Sequence, residues 1–449
     1  MMDISKCKVI LTVAILVSGI VLGCFISFSD DATAKQSSGL LIDFGDYDAK
    51  WVDVDVKKYD SSLVLLEYGC DKLSYSLTVE ADVVKGINGV YSDSKKQWSL
   101  WTIVDSKWVK QSSDVSPKDY GVVAWAYCSE DEEPVVAVDA LGNTIFGYPR
   151  ANRVVALSPS VTEIMGSLSA VTTLVGTDYY SNYPNSVVQG HEDGSIAVVG
   201  GYTNPSFEKI VACNPDIVIC DGSQYSHVEM SKKLNKYGIT AVTIYDGTDI
   251  DAIKDNIFIV GNVIGYDLAA YSVISDISNA IDNVTHRVMS NPNHSDVKAL
   301  ITLSGDKAPY AAGNHTYADD TLDYVSGINV IPQTGWVHIS SEIIAQSNPD
   351  VIIVVSSVYS NTDSDYNALL NNMSKEWTST DAYKDGKVYL ICEGASDLAQ
   401  RSSPRVIQLM ELLGRILQPD VFADIDMPMH IGSNYEDYLV YTKNYGYDN

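Results

Sequence analysis

The stretch SFEKIVACNPDIVI, residues 206–219, has a second copy 134 residues later in SSEIIAQSNPDVIIV, residues 340–354. Nine of the first fourteen positions are identical or exchange one β-branched residue for another, and Glu208, Pro215 and Asp216 recur as Glu342, Pro349 and Asp350. Each copy sets apolar residues at helical spacing, stops at Asn-Pro and continues into a β-branched run, so each reads as a helix leading into a buried strand. A chain that builds this unit twice, so far apart, is constrained to two α/β units of related design, each with a mostly parallel sheet covered by helices.

The flanking sequence extends both units. In the first, RVVAL (153–157), DIVIC (216–220) and ITAVTIY (239–245) read as strands. Ser160 and Glu163 are spaced as a capping box after the first of them, Asn204 and Pro205 are placed to cap and begin the repeat's helix, and further helices are expected near 226–237 and from about 249. No Gly or Pro interrupts the chain between Gly265 and Ser290, and Ala270, Val273, Ile277, Ile281, Val284 and Val288 keep the spacing of one apolar helix face. A helix over 265–290 would be on the order of 40 Å long, the length of a lobe, and so predicts a connector. The pattern restarts with KALITL (298–303), a helix from about Asp319, the second repeat, the strand KVYLI (387–391) and a helix across PRVIQLMELLGRIL (404–417). The expected fold class is α/β: two doubly wound α/β lobes, 151–264 and 291–418, joined by one long helix over 265–290. The Tyr-rich tail, 419–449, has no period and is left unplaced.

Residues 40–150 differ in texture. LVLLEY, YSLTVEADVV, WSLWTIV, WVKQ and YGVVAWAYC are short aromatic and β-branched runs separated by turn residues such as Asn88-Gly89, with a helical reading only around 81–85. They predict a small β-rich domain ahead of the lobes. Cys70 and Cys128 within it are candidates for a disulfide, whereas Cys213 and Cys220 read as core thiols. No CxxC pair and no Cys/His spacing typical of zinc occurs, so no metal site is expected.

At the amino terminus, Lys6 and Lys8 precede twenty uncharged residues, 9–28, the mark of a secretion signal or membrane anchor. Cys24, in Val21-Leu22-Gly23-Cys24, is a lipidation candidate, and 29–39 reads as a polar spacer. The chain is therefore expected to be exported to the cell surface or periplasm and tethered through this segment. With 30 basic against 58 acidic residues the net charge is -28, which excludes nucleic acid as a partner. GxSxG, HExxH, P-loop and dinucleotide fingerprints are all missing, so an enzyme is not expected; a surface adhesion protein is the reading from another class that the tether permits.

RVVALSPSVTEIMGSL, LVGTDYYSNYP, NPSFEKIVACNPDIVI, PYAAGNHTYADDTLDYVSGINVIPQTGWVHISSEIIAQSNPDVIIV and RSSPRVIQLMELLGRIL resemble, in this order over 151–418, the substrate-binding proteins of ABC importers for cobalamin, ferric siderophores and haem. The resemblance implies a monomer of two lobes that clasps a chelate and delivers it to a membrane permease and its ATPase, with no cofactor of its own. It places Tyr180, Tyr310 and Trp336 where cobalamin binders present aromatics to the corrin, and Arg401 at a polar contact. Where those binders can carry a tryptophan after the IVIC strand, this chain has Asp221, with Tyr225 nearby. Glu208 and Glu342 fall at the positions that dock to permease arginines; complementing the helix dipole is the alternative account of both.

Flat aromatic faces suit a corrinoid, which is the ligand expected here. Most ferric siderophores are anionic and need Arg or Lys, yet the matched segments offer little beyond Arg401 and Lys307. A ferric siderophore is therefore the alternative, and haem a third ligand, with His338 available to its iron. Residues 40–130 resemble more weakly the β-grasp module at the cobalamin-contacting end of transcobalamin-like proteins, through GINGVYSD, Trp98, Trp101, Trp108 and YGVVAWAYC. An unrelated β-domain serving as a spacer is the alternative.

Overall fold

A computed structural model describes residues 39–45, 49–104, 107–130, 134, 137–145 and 151–443. The signal or anchor, the spacer up to residue 38 and the lipidation candidate Cys24 lie outside them. Among the described residues no helix is long and apolar enough to cross a membrane.

The first sheet has five strands in the order Ala49–Asp53, Gly39–Asp43, Val122–Cys128, Gln97–Val104, Lys107–Gln111. Gly39–Asp43 runs parallel to Val122–Cys128 and every other neighbour is antiparallel. The LVLLEY run, read as a strand, is instead part of the helix Ser62–Leu73, started by Ser61, whose side chain accepts from the Leu63 amide. Ser62, Leu65, Leu66, Gly69 and Cys70 are its buried residues, a helical spacing that a six-residue window hides. Residues 81–85 are not helical: Ala81 and Asp82 turn with positive φ into the strand Val83–Ile87. Cys70 and Cys128 are not bonded but are separate buried thiols. Period-two alternation explains why: Val123 and Trp125 face the helix side with Cys70, while Val122, Ala124, Ala126 and Cys128 share the opposite face with Trp101 and Trp108.

The second sheet is wholly parallel, ordered Ala197–Val198, Leu174–Thr177, Val154–Ala156, Ile217–Asp221, Ala241–Ile244. The third centres on Val297–Thr302, Val351–Ser356 and Val388–Cys392, which are parallel, and adds the antiparallel pair Tyr310–Ala312 and Trp336–His338 at one edge. Between the two sheets runs the helix Asp267–Met289, whose 23 residues span about 35 Å. All six of its predicted apolar positions are buried, and the helix packs against Ile250–Ile264 and Val406–Leu417.

The repeat has the same structural job in both lobes. Asn214 and Asn348 each adopt positive φ, at 46° and 40°, and end the helices Phe207–Ala212 and Ser341–Ser347. Asn tolerates that conformation better than most residues. The aspartate two residues on then clamps the neighbouring strand. Asp216 Oδ2 accepts from the Arg153 amide at 3.0 Å, and Asp350 Oδ2 from the Lys298 amide at 2.9 Å. The first helix is capped by Ser206, whose hydroxyl accepts from the Lys209 amide, rather than by Asn204, which with Pro205 lies in a short strand.

The tail, unplaced by sequence, closes the third sheet. His430–Ile431 pairs parallel with Val388–Cys392, and the buried Glu411 accepts from the amides of Val440, Tyr441 and Thr442 and from the Thr442 hydroxyl. Arg415 neutralises the same carboxylate at 2.8 Å. A buried charge with this many donors fixes the segment 440–442 against the helix Val406–Leu417.

Candidate functional site

Loops from both lobes line two adjoining cavities of about 790 and 680 Å³, which share Ser160, Tyr202 and Gln400. A drug-sized site is roughly 300–1,000 Å³, so a ligand that fills both is larger than an ordinary metabolite. On the amino-terminal side the lining follows strand ends, the usual place for ligands in open α/β sheets. The 178–184 loop leaves Leu174–Thr177 and is folded around Asp178, whose carboxylate takes the Ser181 hydroxyl at 2.5 Å and the Tyr180 amide at 2.8 Å. Burial pushes that carboxyl up, against the pull of these bonds. The loop thereby holds Tyr179 and Tyr180 edge to face, 5.3 Å apart, and 69% and 58% exposed in the cleft wall.

Across the cleft, Tyr310 stands opposite His338 and Ala312 opposite Trp336 in the antiparallel pair, which puts all three ring-bearing side chains on one face of the sheet. Tyr310 and His338 stack at 3.6 Å between centroids, and the His338 imidazole Nδ1 lies 3.2 Å from the Ala308 carbonyl oxygen. Tyr310 and Trp336 line the 680 Å³ cavity; His338 does not.

Asp221 lines the same cavity at the end of Ile217–Asp221, almost wholly buried. Its carboxylate accepts from the Ser223 amide and hydroxyl, the latter at 2.6 Å, and from the Tyr202 hydroxyl at 3.3 Å. Behind it His227 is locked between the Asp221 amide and the Tyr202 carbonyl, and burial holds its pKa down. Asp246 lies on the neighbouring loop, its carboxyl pushed up by burial and by Asp221. Tyr225 lines neither cavity and is 78% exposed on the first turn of Tyr225–Lys236.

Residues 154–393 match the periplasmic binding protein family. The chain belongs to that family. An uncharacterized ABC transporter substrate-binding lipoprotein of Bacillus subtilis is 25% identical to it over 293 residues, 65% of this chain and 88% of that one. The ferric-anguibactin-binding protein of Vibrio anguillarum is 22% identical over 272 residues, covering 58% and 80% of the two chains. The vitamin B12-binding protein of Yersinia pestis is 22% identical over 277 residues, covering 60% and 89%. These relatives are binding proteins, not enzymes. A periplasmic heme binding protein from Pseudomonas aeruginosa shares the fold, with a TM-score of 0.53 and 21% identity over 60% of this chain and 93% of its own.

In this periplasmic binding protein, Arg401 lies at the cleft but its guanidinium is already committed. It donates to Glu163 at 2.7 Å, to Asn182 at 2.7 Å and to the Tyr180 carbonyl at 3.3 Å, and pairs with Asp397 at 3.0 Å. Glu163 is not the partner of a capping box. Ser158 caps Pro159–Ser167, with Pro159 at the first helical position, and this turns Glu163 inward. Fully buried, Glu163 accepts from Arg401, from Ser403 at 2.5 Å, from Arg405 Nε at 2.8 Å and from Arg405 Nη2. Burial raises its pKa, but the Arg405 charge and hydrogen bonds outweigh that and the net shift is downward. The cluster ties the helix Pro159–Ser167 of one lobe to the 401–405 loop of the other at the floor of the cleft.

Sequence reasoning missed Tyr179, Tyr202, Asp246, Glu163 and Asp397. Tyr179 was legible as the neighbour of Tyr180; the others depend on which loops the fold brings together. Glu208 and Glu342 line neither cavity. Each is exposed at the second position of its helix, and its pKa is lowered, for Glu208 by its own backbone amide and then the N-cap Ser206, for Glu342 by the N-cap Ser340 and then its own backbone amide.

Proposed function

We propose that this chain is the extracytoplasmic binding protein of an ABC importer, that it carries cobalamin or a related corrinoid, and that it hands the ligand to a permease and ATPase complex. One observation carries the ligand class. Arg401 is the one Arg or Lys among the described residues lining the two cavities, and Glu163 and Asp397 already neutralise it. An anionic ferric siderophore or the propionates of haem would enter without a free counter-charge, at a desolvation cost. A corrinoid meets the flat faces of Tyr180, Tyr310 and Trp336, and its amide arms can donate to carboxylates and backbone carbonyls.

The runner-up is a ferric siderophore or haem, since a relative and a fold neighbour carry such ligands in their names; Lys307 is exposed three residues before Tyr310, whose phenol at the cavity offers an iron-ligating oxygen. Glu208 and Glu342, one on each lobe and both exposed, would grip arginines on a two-fold permease. The amino-terminal module would serve as a second contact to the ligand. Its strand order, with the first strand parallel to the central last one and a helix on one face, supports the β-grasp resemblance. Trp98, Trp101 and Trp108 are buried and pack the sheet, so any contact would use other residues. Cys24 is the proposed tether. Calorimetric titration with cyanocobalamin, haemin and a ferric hydroxamate tests the ligand: saturable heat with cyanocobalamin is expected, and heat only with the hydroxamate or haemin would replace the reading.

A further inference from the structure

The wall of the cleft that carries the loop ends of the second sheet is acidic, and among the described lining residues no Lys or Arg stands opposite it. Asp221 and Asp246 both line the 680 Å³ cavity, Asp221 nearly buried at a strand end and Asp246 exposed on the adjacent loop. The facing side supplies Tyr310, Tyr317, Trp336 and His315, with no Lys or Arg among the described lining residues. Asp221 is held in place by Tyr202 and Ser223, so its charge stays where the fold puts it. The charges in the neighbouring cavity cancel, because Asp397 is paired with Arg401.

We infer that this cleft selects among corrinoids by charge, taking a cationic corrinoid that lacks the phosphate-bearing nucleotide arm in preference to neutral or phosphate-bearing forms. This rests on the corrinoid reading and adds a specificity rule to it. The corrin is monoanionic around a trivalent cobalt, so the net charge is set by the axial ligands and by any phosphodiester on the ring. A ligand whose cobalt carries water in place of cyanide gains one positive unit. A phosphodiester brought near Asp221 and Asp246 is repelled by both. At about 8 Å and an effective dielectric constant of about 20 to 80, one unit charge on each side changes affinity by roughly twofold to thirtyfold, with about fivefold expected for a partly wetted cleft.

The test compares two probes of the same ring, aquacyanocobinamide and dicyanocobinamide, which differ by one unit of charge, with cyanocobalamin as the phosphate-bearing third. Affinities are measured by absorbance titration of the purified protein at low and at 0.5 M salt. The cation is expected to bind about fivefold more tightly than the dicyano form at low salt, with cyanocobalamin weaker still, and the ratio should shrink at high salt as the charges are screened. In Asp246→Asn the cation-to-neutral ratio should fall toward one. Equal affinities for the two cobinamides, or a ratio unchanged in Asp246→Asn, would overturn the charge rule while leaving the corrinoid reading standing. Failure of all three corrinoids to bind would overturn that reading, and the rule with it.

Discussion

Replacing Glu163 by Gln keeps the shape of the side chain and deletes the charge on which two guanidinium groups converge. Arg401 retains Asp397 at 3.0 Å, but Arg405 is left with the Tyr435 hydroxyl at 3.3 Å and the face of Tyr183, 4.0 Å from the ring centroid, neither of which carries a compensating charge. Removing one partner of a buried ion pair costs about 3–5 kcal/mol, and Arg405 is as buried as Glu163. For a two-lobed unit of about 290 residues that corresponds to a fall in unfolding temperature of roughly 5–8 °C. The pH dependence follows from the depressed pKa of Glu163. Its contribution is fully present above the unfolded glutamate value, about 4.3, and is lost as pH falls through the lower folded value. The gap between parent and variant should therefore be widest at neutral pH and close in acid. Differential scanning calorimetry from pH 7 to pH 3 reads both effects. Glu163→Met combined with Arg405→Met should be less destabilised than either single change, since no buried charge is then left uncompensated. An unfolding temperature for Glu163→Gln within 2 °C of the parent at pH 7 would refute the claim that this cluster holds the two lobes together.

Tyr310→Ala and Trp336→Ala should each weaken corrinoid binding by about 1–3 kcal/mol with the unfolding temperature retained, measured by titration and calorimetry; parent-like affinity in both would remove them from the pocket wall. Glu208→Lys with Glu342→Lys should abolish uptake in vesicles carrying the assembled importer while leaving ligand affinity intact, and Glu→Gln at both should be milder because it adds no like-charge contact. Normal transport by the double Lys variant would leave helix-dipole complementarity as the whole role of the two residues. Glu411→Gln should release the tail, because six donors, two of them on Arg415, lose a charged acceptor, and amide exchange at Val440, Tyr441 and Thr442 should speed up markedly; unchanged protection there would show that the tail is held by other contacts.

The features legible in the sequence are those with a period. The bridging helix was readable because a lone apolar stripe over 23 residues leaves little else for the chain to do, and the parallel strands because β-branched runs alternate with helices. The repeat was legible as a unit, but its reason was not. That Asp216 and Asp350 clamp neighbouring strands depends on pairing between segments 63 and 52 residues apart. Short signals failed for local reasons: LVLLEY is apolar enough for strand or helix, and one serine upstream decided for helix. Glu163 looked like a cap because Ser160 precedes it at the right spacing, while its true partners are some 240 residues away. The tail gave no period because its hold on the fold comes from backbone amides reaching one buried carboxylate.

The central claim, that the cleft between these lobes carries a corrinoid, is tested most directly by passing the purified protein, mixed with excess cyanocobalamin, through a desalting column and recording the absorbance spectrum of the protein peak. The account predicts a corrin spectrum that stays with the protein at one ring per chain and is lost in Tyr310→Ala with Trp336→Ala. A protein peak free of corrin absorbance, with a ferric hydroxamate or haemin retained under the same conditions, would contradict it.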